Sequence, residues 1–157
     1  MFFELAYASK ANKSQYYTVY QLILKQLPMD TKELLAGMYS EHANWQKQIL
    51  SYREELNSLN SNLEEYVQKV PPREISPSVE HFQNQFIRQN EVLDIMRHDF
   101  KQYENRIEDA QSGSVVSTEN LEKERAECTE RLGDYDKIFS ELKNEFSKFN
   151  TGELLHS

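Results

Sequence analysis

Cysteine occurs once in this chain of 157 residues, at Cys128, so no internal disulfide can staple the fold. Glycine and proline number only four each, too few for a sheet protein built on tight turns. No apolar run approaches the roughly 20 residues that a bilayer-crossing helix needs, and no membrane association is expected. The opening stretch MFFELAYASK lacks a basic n-region, carries Glu4 and breaks its apolar run early, so no secretory signal is expected either. Basic residues are also scarce: 18 Lys and Arg stand against 26 Asp and Glu, a net charge of −8. Without a Lys/Arg run to neutralise phosphates, nucleic acid and anionic membrane surfaces are not expected as partners. A single thiol on an apolar stripe reads as buried rather than reactive, which suits a reducing cytoplasm.

What the chain does have is charge (28%) and apolar content (38%) laid out with helical spacing. From Thr31 to Val70, steps of three and four residues collect Leu35, Met38, His42, Trp45, Ile49, Tyr52, Leu56, Leu59, Leu63, Tyr66 and Val70. Asp30 with Glu33 offers a capping box at one end, and Pro71-Pro72 forbids continuation at the other. After Ser76 as cap and Pro77 at the first helical position, a second seam runs through Val79, Phe82, Phe86, Gln89, Leu93, Met96, Phe100, Tyr103, Ile107 and Ala110. A third, capped by Ser117, follows Leu121, Arg125, Cys128, Leu132, Tyr135, Phe139, Leu142, Phe146 and Phe149, and Gly152 closes it. The prediction is an all-α protein with helices over about 31–70, 77–111 and 118–150 and a tail at 151–157.

Short connections leave no room for a crossover, so the helices should run as an elongated antiparallel up-down-up three-helix bundle. An apolar period of 3.5 residues implies a left-handed superhelical twist. Residues 1–28 read as an extension with a short helix of its own, ending at Pro28. Because Met29 directly precedes the Asp30 cap, translation is expected to be able to start there, which would make the extension dispensable.

The seams are interrupted by His42, Gln89 and Arg125. Folding the helices back on their loops puts His42, Tyr103 and Arg125 at one level, with Glu41, Glu104 and Glu108 around them. A buried polar layer of this kind fixes helix register, because a slip breaks the polar contact. The alternative is a small pocket in which Arg125 holds an anion and His42 titrates near neutral pH. Gln89 falls level with Ser58 and Ser140, which should satisfy it by hydrogen bonding. Trp45, Phe86, Phe100 and Phe139 are candidate core anchors. No Glu-x-x-His pair is present to support a di-metal site, and Asp94 with His98, like His81, lies off the seam. Cys128 has no histidine at its level, and no phosphate-binding glycine loop or nucleophile elbow occurs, so no catalytic, cofactor-binding or metal-binding residue is assigned.

In the run HANWQKQILSYREELNSLNSNLEE followed by VEHFQNQFI, the chain resembles a set of small uncharacterised bacterial helical proteins that share a tryptophan and a following hairpin. The resemblance spans roughly residues 29–108 and implies a bacterial, cytoplasmic setting without assigning a site. In plan alone the chain also resembles a spectrin-type repeat. The expected function is non-enzymatic: a helical protein that acts on a protein partner or on another copy of itself, with a ligand- or anion-binding bundle at His42 and Arg125 as the alternative.

Overall fold

A computed structural model describes residues 13–74 and 76–152, with side chains described from residue 30 onward. Among these residues the structure is almost entirely helical, with no strand. Helix α1 runs Lys13–Lys69, α2 runs Pro77–Gln111 and α3 runs Thr118–Asn150, with a single 3-10 turn at Pro72–Glu74. The contacts divide the chain into two units, Met1–Met38 and Tyr39–Ser157.

The first helix departs from expectation. A separate short helix ending at Pro28 and a fresh start at Asp30 were predicted, whereas α1 is continuous for 57 residues from Lys13. An internal proline removes one N–H and crowds the carbonyl four residues back, at a cost of about 3 kcal/mol. That is a local penalty, and the Leu, Gln, Lys, Met and Glu residues on either side of Pro28 are strong helix formers that carry the helix across it. Asp30 is consequently an exposed residue inside a helix and caps nothing. In the first unit, Leu35 and Met38 are buried.

The second unit shows why its helices begin and end where they do. Ser76 has extended backbone and its hydroxyl accepts a hydrogen bond from the Ser78 amide at 3.2 Å, while Pro77 occupies the first turn, where its missing N–H leaves no gap. Ser117 caps α3 by accepting from the Asn120 amide at 3.4 Å. Gly113 and Gly152, both with positive φ, turn the chain just past α2 and α3 in a conformation costly for any residue with a Cβ.

The core of this unit is the seam read from sequence. Every α2 seam residue from Val79 to Ile107 is buried, and on α3 all from Leu121 to Phe149 except Arg125. On α1 burial alternates beyond Ile49: Leu56 and Leu63 are buried, whereas Tyr52, Leu59 and Tyr66 are half-buried. Contacts between helices follow a fixed order. Trp45 lies 5.4 Å from Phe100, and Arg53 Nη2 donates to Asp94 Oδ1 at 2.6 Å, so numbers rise along α1 as they fall along α2. Likewise Arg106 bonds Glu124, Arg131 bonds Asp99, and Phe82 packs on Phe149. Between α1 and α3 the numbers rise together, from Tyr52 on Asp136 to Tyr66 on Phe149.

Candidate functional site: the polar layer at His42

His42 is 2% exposed, held in the seam of α1 between Met38 and Trp45. Its Nε2 lies 3.1 Å from Gln46 Nε2, one helical turn on. An amide nitrogen only donates, so the imidazole accepts there and carries its proton on Nδ1. Nδ1 is 3.8 Å from Glu104 Oε1, an ion pair only if the ring is charged. Burial disfavours that charge and lowers the His42 pKa from its usual value, and nearby Glu104 opposes the shift without reversing it. Glu104 is shared with Lys101, which bonds its other oxygen and draws its charge toward the surface. The ring itself is enclosed by Trp45 and Tyr103, each with its centroid 6.4 Å away.

Tyr103 is 1% exposed and its Oη has no hydrogen-bond partner among the described residues. Burial holds its phenol well above the ordinary range, and the Arg125 charge pulls slightly the other way. Arg125 itself is half-buried and already engaged. Its Nε donates to Glu41 and its Nη1 to Glu122 at 3.4 Å, so an incoming anion would have to displace two carboxylates. Of the residues expected in the layer, His42, Tyr103 and Glu104 come together, Arg125 joins Glu41 at the rim, and Glu108 is exposed and acts on the layer by charge alone. Gln46, Lys101 and Glu122 were missed. A signal existed for Gln46 and Glu122, which lie four residues after His42 and three before Arg125, on the same faces.

Trp45, Phe86, Phe100 and Phe139 are 5% exposed or less. Gln89 differs from expectation. It is buried, yet its Oε1 has no partner among the described residues: Ser58 is exposed and Ser140 makes no bond to it. Tyr135 Oη is likewise without a partner. His81 is exposed. His98 is 73% exposed beside Asp99, while Asp94 is taken by Arg53, so Asp94 and His98 do not converge on a common point. Cys128 is buried and its thiol is pushed up to about 11 by burial, far from a reactive thiolate at neutral pH. Among the described residues, no group of three or more His, Cys, Asp or Glu side chains is placed to hold a metal ion.

No family model, curated protein or solved structure matches this chain.

The surface around the layer consists of open grooves between helices. One of about 420 Å³, between α1 and α2, has Gln46 and Glu104 in its wall and so runs past the buried imidazole. Another of about 300 Å³, between α2 and α3, is walled by Tyr103 and Cys128 and bordered by the Arg106–Glu124 and Arg131–Asp99 ion pairs. No helix in the described residues is long and apolar enough to cross a membrane. The layer's chemistry is therefore that of a neutral imidazole locked by an amide and poised beside a carboxylate.

Proposed function

We propose that this is a non-enzymatic helical protein, an up-down-up three-helix bundle with heptad seams, that acts by association with another protein chain and first of all with a second copy of itself. The observation that carries this reading is the length of α1, 57 residues against 35 for α2 and 33 for α3. At about 1.5 Å per residue neither shorter helix matches α1 along its whole run. The sequence before Pro28 contains YYTVYQLILKQL, and helices of this composition draw most of their stability from packing against another surface. A second copy supplies such a surface with no further partner. The antiparallel order of contacts, the alternating burial and the neutral buried His42 support a layer whose role is register rather than chemistry. The anion-binding alternative is weaker, since Arg125 is neutralised by Glu41 and Glu122.

Sedimentation velocity of the full chain across a hundredfold range of concentration tests the proposal. The expected result is a mass that climbs above the 18.6 kDa of one chain as concentration rises. A single species of 18.6 kDa throughout would overturn it.

A further inference from the structure

The outer face of the α2–α3 hairpin carries an apolar patch that the fold leaves uncovered. Ile95 on α2 and Ile138 on α3 are 57% and 53% exposed, and half-buried Val92 lines with Ile138 an open groove of about 400 Å³. Exposed aliphatic side chains are ordinary when single, whereas an adjoining set rimmed by charge marks a contact surface. Leu50 and Ile87 stand alone by comparison: Arg53 bonds Asp94, which puts Leu50 level with Arg97, ten residues and about 15 Å along α2 from Ile87. The charges on the rims of the groove divide into those already used and those free. Arg131 is held by Asp99 at 2.8 Å, Arg106 by Glu124 at 2.7 Å, and Asp134 has Lys137 at 3.5 Å. Arg88 and Glu141 are exposed and belong to no ion pair among the described residues. The Asp99–Arg131 pair fixes their level. Arg88 stands eleven residues before Asp99 and Glu141 ten after Arg131, so the two lie on opposite rims within about 1.5 Å of the same level. Arg88 and Ile95 are seven residues apart, as are Asp134 and Glu141, so the heptad period puts each of these pairs on one outward face.

We propose that this face pairs with the same face of a second copy about a two-fold axis running along the groove, with Val92, Ile95 and Ile138 at its centre and Arg88 of each copy meeting Glu141 of the other. A two-fold along the groove exchanges the rims and preserves level, so the free cation on one rim meets the free anion on the other twice over. A two-fold across the groove near Ile138 lays each helix antiparallel on its own mate and sets Asp134 against the second copy's Glu141, like charge on like. The charge pattern thus selects one of the two ways in which a closed dimer can use this patch. Removal of the isoleucine and valine side chains from water supplies the attraction, and the rim pairs supply the orientation. This assignment rests on the self-association proposed above and names the surface that carries it.

Charge exchange between copies is the test, read by sedimentation velocity of the full chain, with circular dichroism to confirm that each variant is folded. Arg88→Glu and Glu141→Arg should each weaken association at least about tenfold, because each brings like charges together at both rims of the dimer. Mixing the two variants in equal amounts should restore association to the wild-type level, since the mixed dimer alone has two opposite-charge pairs. A contact made within one chain cannot be repaired by mixing. Ile138→Lys, at an exposed position where the fold tolerates a polar side chain, should weaken association by at least about tenfold as well. Wild-type association that all three single variants leave unchanged overturns this surface and leaves the association itself standing, and so does a loss that mixing fails to restore. A wild type that remains at 18.6 kDa at every concentration overturns both.

Discussion

Truncating Phe86 to alanine is the sharpest probe of the packing. Phe86 is 1% exposed, its ring meets Phe146 edge-on at 5.3 Å and Phe82 at 6.2 Å, and it sits where α2 and α3 share their densest aromatic contacts. Returning such a side chain to water costs about 1.5–3 kcal/mol in transfer free energy. The unfilled space left behind raises the total into the range of about 3–5 kcal/mol seen for buried aromatic truncations. The lost edge-on contact accounts for about 0.5–1.5 kcal/mol of that. A loss near 4 kcal/mol corresponds to a fall in Tm of about 8–16 °C for a chain of this size. Urea denaturation followed by circular dichroism measures the loss, and Trp45 fluorescence supplies a second probe that must report the same transition if unfolding is two-state. Phe146→Ala and the double variant close a cycle whose coupling should be about 0.5–1.5 kcal/mol. A single-variant loss below about 1 kcal/mol would refute the packing argument, because a ring so enclosed cannot be removed that cheaply.

Three further outcomes follow from particular side chains. His42 holds its proton less tightly when buried than in the unfolded chain, so its contribution to stability is complete above about pH 6.5 and is lost as pH falls from there toward its lowered folded value. His42→Leu should flatten that part of the stability–pH curve and leave stability at pH 8 equal or higher, and an unchanged acid slope would count against the assignment. Gly133 lies exposed within α3 with negative φ, and a Cβ there meets nothing within 4 Å, so Gly133→Ala should stabilise the protein by about 0.5–1 kcal/mol in thermal melts. Destabilisation would show that this stretch of α3 is not regular helix. Cys128, buried and with its thiol pushed up to about 11, should react with a thiol reagent at pH 7.5 only after denaturant is added; rapid labelling of the native protein would contradict its burial.

The helical class and both boundaries of α2 and α3 were legible because each rests on local causes: a period of 3.5, a serine cap, a proline in the first turn, a glycine after the last. Pro28 misled for a complementary reason. Proline sets a penalty and does not decide the outcome, and whether a helix crosses it depends on the stability of the turns on both sides. The level arithmetic that brought His42 to Tyr103 and Glu104 worked because the rise per residue is constant. It could not foresee Gln89, since matching levels do not fix whether a serine on a neighbouring helix comes within hydrogen-bond distance.

Composition, periodicity and the local cap, proline and glycine residues by themselves determined that the described residues are helical, where α2 and α3 begin and end, and most of the side chains that are removed from water. Tertiary structure decided the rest: that Arg125 gives its charge to Glu41 across the helices, that Glu104 comes beside the His42 ring, and that Gln89 and Tyr135 are left without partners among the described residues. The difference is physical. Burial follows from a one-dimensional pattern repeated along a helix, whereas hydrogen bonding depends on distances of a few ångströms and on direction, which are fixed only when neighbouring helices settle against each other.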